Sequence, residues 1–260
     1  MIGSKNPKLL KRLPGFIIRY LKRILHQREV NQIIHENKDL VGVDFCHQLI
    51  NRFQLDVVLK RIENAPKEGG VIFVCNHPLG GMDAIALVHR FHEYRPDMKF
   101  IVNDLLLNLK NLKGLFVGVN KHGATALRSL QNVDKLFNSD KAVFVFPAGL
   151  VSRKIDGKIQ DVDWKKTFIT RAKKYNQPII PVYIEGRLSN FFYGFARFRE
   201  RLGIKVNIEM LYLVNELFKQ KKRRIEIRFG EAISPAELDK SKNDRQWAAE
   251  IRQRCYNLAE

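Results

Sequence analysis

From about residue 70 the chain alternates between two kinds of pattern. Short apolar, β-rich runs at 71–75, 99–102, 115–119, 142–146 and 179–184 are separated by stretches of helical spacing at about 83–94, 123–138 and 163–175. Apolar runs of that length predict strands buried on both faces. Their regular alternation with helices predicts an α/β domain, a mostly parallel central sheet with helices on its faces. Later, Arg224-Ile225-Glu226-Ile227-Arg228-Phe229 alternates charged and apolar positions and reads as a half-exposed or edge strand. The C-terminal tail opens at Ser234-Pro235-Ala236-Glu237 with an N-cap and a proline at the first helical position. No internal repeat or low-complexity linker interrupts the chain.

The first thirty residues differ. Leu9, Leu10, Leu13, Phe16, Ile17, Ile18, Leu21, Ile24 and Leu25 fall at helical spacing, interleaved with Lys5, Lys8, Lys11, Arg12, Arg19, Lys22, Arg23 and Arg28. Pro14 starts or kinks the second segment. A basic amphipathic helix of this kind fits an anionic membrane surface, where each Lys or Arg adds about 1 kcal/mol. Residues 1–65 are therefore expected to form a basic amphipathic helical membrane-surface region, and 66–260 the main domain.

Charge sharpens that picture. Lys and Arg number 46 against 27 Asp and Glu, a net +19, with an isoelectric point near 10.0. Such an excess calls for a polyanionic partner: nucleic acid, an anionic membrane or an acidic carrier protein. Lys219-Gln220-Lys221-Lys222-Arg223-Arg224 is the best nucleic-acid candidate, but no helix-turn-helix or RNA-binding signature accompanies it, so nucleic acid is not the expected partner. No apolar run reaches the ~18 residues of a spanning helix, and the N-terminus lacks a secretory core. The expected location is cytoplasmic, peripheral on the inner face of the cell membrane. Cys46, Cys75 and Cys255 are scattered without CxxC spacing, which argues against a disulfide framework and against a zinc site.

The candidate chemistry lies in His77-Pro78-Leu79-Gly80-Gly81-Met82-Asp83, directly after the first apolar run. A strand delivers Asn76-His77 into a glycine-bearing turn with a carboxylate at the next helix start. A histidine near neutrality takes a proton from a hydroxyl, and a nearby aspartate fixes its tautomer and stabilises the imidazolium. No GxSxG-type elbow is present, which sets a serine or cysteine hydrolase aside.

This block resembles the active-site motif of the glycerolipid acyltransferases, the family that includes lysophosphatidate acyltransferase. There four residues separate His and Asp, and here five intervene. That variant resembles a bacterial subgroup of hemolysin-like or ornithine-lipid-type O-acyltransferases. Three further blocks follow in family order. Gly114-Leu115-Phe116-Val117-Gly118-Val119-Asn120-Lys121 resembles the second motif, with Lys121 where the family carries an acceptor-contacting arginine. Phe146-Pro147-Ala148-Gly149-Leu150-Val151-Ser152-Arg153 resembles the third, usually Phe-Pro-Glu-Gly-Thr-Arg-Ser, with Ala148 in place of the glutamate and the arginine displaced to 153. Ile179-Ile180-Pro181-Val182-Tyr183-Ile184-Glu185-Gly186-Arg187 resembles the fourth. Asp163-Trp164-Lys165-Lys166 and Asn190-Phe191-Phe192-Tyr193 echo the aminolipid subgroup, and the aromatics suit either an acyl-chain groove or a packed helix.

The resemblance implies a glycerol-3-phosphate acyltransferase-like fold over 66–260 and transfer of a fatty acyl group from acyl carrier protein or coenzyme A to a lysolipid hydroxyl. His77 would be the general base and Asp83 its orienter. Asn76, Gly80, Gly81, Lys121, Pro147, Gly149, Ser152 and Arg153 would bind substrate, with Arg153 on the acceptor's acidic group. No metal or other cofactor is implied. A monoacylated amino-acid lipid is the favoured acceptor. The alternatives are 1-acylglycerol-3-phosphate O-acylation and a non-catalytic lipid-binding scaffold.

Overall fold

The computed structural model describes residues 13–103, 107, 109–119 and 126–260. Asn120 and Lys121, and the basic and apolar positions before Leu13, lie outside them. Three helices lead in: α1 (Gly15–Ile24), α2 (Gln27–Glu36) and α3 (Val43–Phe53). Pro14 caps α1, its carbonyl accepting from the Ile17 and Ile18 N–H groups. The helix breaks at His26, whose left-handed conformation (φ 44°) turns the chain into α2.

Seven strands form the main sheet: β1 (Asp56–Lys60), β2 (Val71–Cys75), β3 (Lys99–Asn103), β4 (Phe116–Val119), β5 (Ala142–Val145), β8 (Ile179–Ile184) and β9 (Arg224–Phe229). Two short strands, β6 (Arg153–Ile155) and β7 (Lys158–Gln160), pair separately as a hairpin. The sheet order is β1-β9-β8-β2-β5-β3-β4. The five strands expected from the apolar runs are mutually parallel. β9 runs antiparallel to β8, and β1 pairs parallel to β9.

β9 is thus an interior strand rather than an edge. Residues 56–60, inside the region expected to be helical, cover it in the register Asp56↔Arg224 to Lys60↔Arg228. Charged residues at both ends of Asp56-Val57-Val58-Leu59-Lys60 mask a strand whose Val57 is buried. The core consequently runs without a gap across residue 65, with Phe45, Ile50, Phe53 and Val57 in the same cluster as the strands.

The remaining helices cover the sheet: α4 (Gly81–Phe91), α5 (Ala126–Phe137), α6 (Thr167–Tyr175), α7 (Asn190–Arg201), α8 (Leu213–Phe218) and α9 (Asp244–Asn257). β2 lies near the middle of the sheet, and all five of its residues are buried. Its alternate side chains enter two layers. Val71, Phe73 and Cys75 join α3 and α4 residues on one face, while Ile72 and Val74 join α5, α6 and α9 residues on the other. Phe73 stacks on Phe144 at 4.5 Å, and Phe144 on Phe100 at 4.9 Å, so neighbouring strands present one aromatic row under α4. Ser234 caps only the single turn Pro235–Glu237, and the tail helix α9 begins later, at a second capping box made by Asn243 and Gln246. No described helix is long and apolar enough to cross a membrane.

Candidate active site

β2 ends at Cys75, and Asn76 continues its pairing through its side chain. The Asn76 amide donates to the Ile184 carbonyl (2.9 Å) and its oxygen accepts from the Ile184 N–H (2.6 Å). This bolt fixes the β2 and β8 ends together, so His77 emerges at the carboxyl edge of the parallel strands, the edge where open α/β sheets hold ligands. Gly80 then reverses the chain at φ +69° to start α4. An added Cβ there would lie 3.3 Å from Val151 Cγ1 in a conformation L-residues resist. The turn carries the five residues that separate His77 from Asp83.

Asp83 sits in the first turn of α4, fully buried. Its Oδ2 meets His77 Nδ1 at 2.8 Å, and the Leu79 N–H donates to both carboxylate oxygens, at 3.2 and 3.1 Å. Burial pushes the Asp83 carboxyl above its ordinary range, against the opposing pull of the His77 hydrogen bond. The helix N-terminus and three hydrogen bonds favour the ionised form that burial disfavours. The His77 ring remains one-fifth exposed, and it lies 4.4 Å from the Phe146 ring. With Nδ1 held by Asp83, Nε2 is the nitrogen left to meet a hydroxyl.

The His77 backbone is held as firmly as its ring. The N–H donates to Asp161 Oδ1 (3.2 Å), and the carbonyl accepts from the Ser152 N–H (2.8 Å). Asp161 is fully buried. Its Oδ1 also accepts from Ser152 Oγ (2.6 Å), and its Oδ2 from Trp164 Nε1 (2.9 Å). Its own N–H donates to the Tyr256 hydroxyl (2.7 Å) and its carbonyl accepts from Arg252 (2.5 Å), tying this corner to α9. Burial raises the Tyr256 phenol, keeping it neutral. The β6–β7 hairpin makes the arrangement possible: its Asp156-Gly157 turn, both residues at positive φ, returns the chain so that Asp161 faces Ser152.

The third block forms a loop beside His77. Pro147 is buried, and its carbonyl accepts from the Lys165 N–H (3.2 Å). Gly149 takes φ +69°, and a Cβ there would come within 2.7 Å of Lys165 Nζ, so the lysine from the Asp163-Trp164-Lys165-Lys166 block reaches across the loop. Arg153 points inward. Its guanidinium donates to the Val151 carbonyl (3.0 Å) and to Glu209 Oε1 (2.8 Å), and it lies 5.4 Å from the Phe192 ring. Arg199 Nε is 2.9 Å from the other Glu209 oxygen, and that carboxylate is fully buried. Of the expected aromatic cluster, Phe192 and Tyr193 are core residues and Phe191 is exposed. Gly81 opens α4 with nothing within 4 Å of where a Cβ would stand. Cys75 is buried in the core.

One strand across from His77, a recess of about 170 Å³ is lined by Leu79, Gly186, Arg187, Arg223 and Arg224, with the acidic residue Glu185 also in its lining. Gly186 lets Leu79 pack close, since a Cβ there would fall within 2.7 Å of the leucine side chain. The structure therefore brings together Asn76, His77, Gly80, Asp83, Ser152 and the loop through Gly149. It also adds Phe146, which the third motif contains, and Asp161, which no motif marks.

The sequence profile of the family described as Acyltransferase matches residues 1–260. The chain is 43% identical over 259 residues to a lyso-glycine lipid O-acyltransferase of Bacteroides thetaiotaomicron, covering 99% of this chain and 95% of that protein. It is 39% identical over 259 residues to a lyso-glycine lipid O-acyltransferase of Phocaeicola vulgatus, covering 99% and 93%. A crystal structure of the 1-acyl-sn-glycerophosphate acyltransferase PlsC from Thermotoga maritima aligns with a TM-score of 0.49 at 22% identity, covering 82% of this chain and 78% of that one.

Proposed function

The chain belongs to the acyltransferase family, and we propose that His77 is the general base of an O-acyl transfer to a lysolipid, with a monoacylated glycine lipid as the acceptor. It is an O-acyltransferase acting on a lysolipid, as its full-length relatives' shared activity supports. The observation that carries the base assignment is the 2.8 Å contact between His77 Nδ1 and buried Asp83. A histidine so held keeps one tautomer, presents Nε2 outward, and gains charge stabilisation from Asp83 once protonated.

In the proposed reaction the acceptor hydroxyl oxygen attacks the thioester carbonyl while His77 Nε2 takes the hydroxyl proton. Backbone N–H groups of the Gly80-Gly81 turn meet the oxyanion. The carbon–sulfur bond then breaks, and the proton on His77 passes to the departing thiolate. The products are an ester and a thiol, and no acyl-enzyme is formed.

The donor in this reading is acyl carrier protein or coenzyme A. Both carry phosphate on the pantetheine arm, and the arginine-lined recess beside Leu79 offers charge for it. Arg153, expected on the acceptor's acidic group, instead has its guanidinium on the Val151 carbonyl and Glu209, so its part in this reading is to hold the loop beside His77. The membrane-surface part of residues 1–65 is α1, whose Phe16, Arg19, Tyr20, Lys22 and Arg23 are exposed. The enzyme works at the inner face of the cell membrane, where its acceptor lies.

The test is acyl transfer by purified protein from acyl carrier protein or coenzyme A to monoacylated glycine lipid and to lysophosphatidate, with His77→Ala alongside. Product from the glycine lipid, lost in the variant, is the expected result. Product from lysophosphatidate alone would replace the acceptor. Undiminished product from His77→Ala would remove the base assignment, and no product from any pairing would favour a non-catalytic scaffold.

A further inference from the structure

We infer that the outward face of α7 and the segment after it form a second lipid-contacting surface, continuous with α1, that seats the active site on an anionic bilayer. The inference rests on the reading of the protein as a lipid acyltransferase. α7 carries apolar residues on its outward side as well as on its core side. Phe192, Tyr193 and Ala196 face the core. Phe191, Phe195, Phe198 and Leu202 follow at intervals of four, three and four along the other side, and Phe191, Phe198 and Leu202 are more than half exposed. Ile204 and Val206 extend the apolar surface, with Val206 exposed at 70%.

At the Phe191 end this surface is a packed cluster rather than scattered exposures. Phe191 stacks on Phe195, and both rings meet Tyr212, at 5.0 and 5.6 Å. The Tyr212 hydroxyl in turn meets the Tyr20 hydroxyl of α1 at 2.5 Å. The exposed Phe16 of α1 lies one turn from Tyr20, so the patch spans two helices from opposite parts of the chain. A contiguous exposed apolar surface of this kind on a water-soluble face marks an interaction site.

Charge selects the occupant. Exposed Arg197, Arg201 and Lys205 rim α7 and the loop after it, and exposed Arg19, Lys22 and Arg23 rim α1. Lys219 Nζ lies 5.8 Å from the Phe191 ring. The acidic residue among the exposed ones of α7, Glu200, already pairs with Arg199. Large aromatic and aliphatic side chains ringed by exposed cations, Lys219 among them paired with Glu216 at 2.7 Å, match the boundary between anionic head groups and acyl chains. An acidic protein partner would use the cations and leave this much apolar surface without a counterpart.

The patch is also next to the chemistry. The inner side of α7 supplies Phe192 to Arg153, and Glu209, in the turn leading to Tyr212, holds the Arg153 guanidinium. A bilayer seated on the outer side therefore lies one helix layer from the loop beside His77.

The test uses the full chain and vesicles of phosphatidylglycerol with phosphatidylcholine, compared with phosphatidylcholine alone. Phe198→Ser, Leu202→Ser and Val206→Ser combined remove apolar surface without touching the core or α1. Partitioning onto the anionic vesicles is expected to fall by more than about tenfold. Activity on detergent-dispersed acceptor is expected to stay within about twofold. Neutralising Arg197, Arg201 or Lys205 singly weakens partitioning by about fivefold. All three native cysteines are buried, so Val206→Cys accepts an environment-sensitive fluorophore selectively, and its emission should shift to the blue on anionic vesicles.

Wild-type partitioning by the triple variant, or a label that stays in water on vesicles, overturns the inference. So does a wild-type dimer that the triple variant splits, since the face would then belong to a second copy. Loss of all activity on the dispersed acceptor in wild type would instead strike the enzymatic reading, independently of the vesicle result.

Discussion

The interior around His77 and the outer face of α7 lie a helix layer apart and are built on opposite principles. Around His77 the ring, the N–H and the carbonyl are each held by a buried partner: Asp83, Asp161 and Ser152. On the outer face, side chains as large as Phe198 and Leu202 are more than half exposed. Closely packed, fully bonded surroundings suit a group that must point one way, and exposed apolar side chains suit a surface completed by something else. The contrast predicts that substitutions on the two sides separate cleanly, one set changing turnover and the other changing where the protein sits.

The largest effect should come from His77→Ala, which removes the proposed base and is expected to lower kcat by about 10²–10⁴. Vesicle partitioning should not change, and a parallel fall in both would break the separation. Asp83 adds a pH signature. Burial raises its carboxyl above the ordinary aspartate range, so the carboxylate that orients His77 is protonated at a higher pH than a solvated aspartate would be. The Asp83 carboxyl, read directly by 13C NMR, should protonate above the usual aspartate range, with activity held above that point and falling as pH drops through it. A midpoint within the usual range would contradict the burial argument.

Asp161→Asn should come next. Each Asp161 oxygen accepts from a donor, Oδ1 from His77 N–H and Ser152 Oγ and Oδ2 from Trp164 Nε1. An amide sets N–H against N–H at one end whichever way it is turned. We expect a stability loss of about 1–3 kcal/mol. We also expect a fall in kcat with donor and acceptor KM unchanged, because Asp161 positions the base without touching substrate. A KM change in place of a kcat change would argue that it meets a ligand. Arg153→Met breaks a buried pair and leaves Glu209 with Arg199 alone. Its expected cost is about 3 kcal/mol in a denaturation midpoint, with the acceptor KM rising more than the donor KM.

How much of this was legible depended on whether the cause was local. The five parallel strands announce themselves as apolar runs because burial on both faces leaves little room for polar residues. His77 and Asp83 are legible because the turn joining them is contiguous in sequence. β9 alternates buried and less buried positions as a half-exposed strand does, but it is not an edge, because its neighbour β1 comes from residues 56–60, far away along the chain. Charges at the ends of that strand hid it. The burial of Arg153 depends on Glu209, and Asp161 matters only because a hairpin folds it back on Ser152. The Asp156-Gly157 turn between two short alternating segments was the available signal for that hairpin. Phe146 was visible in its motif, but its packing on the His77 ring was not.

The smallest effect is expected at the far end of α4, where the same physics acts with the opposite sign. Near the helix start burial raises an acid, Asp83. Near its end burial lowers a base: His89 is held down to about 4, chiefly by desolvation and further by His47 and Arg90. The His89 ring lies 4.6 Å from that of His47, whose Nε2 donates to the His89 carbonyl at 3.1 Å. In the unfolded chain His89 binds its proton near the ordinary value of about 6.5. Between that value and 4 the unfolded state therefore holds more protons than the folded one, and stability is full above the first and falls toward the second. With allowance for partial contact with water, the loss is about 1–2 kcal/mol. His89→Gln should flatten this segment of the melting-temperature profile between pH 7 and 5 while leaving acyl transfer at pH 7.5 within about twofold of wild type. An unchanged slope would mean that acid lability is set by other groups, and a collapse in activity would mean that the two ends of α4 are not independent.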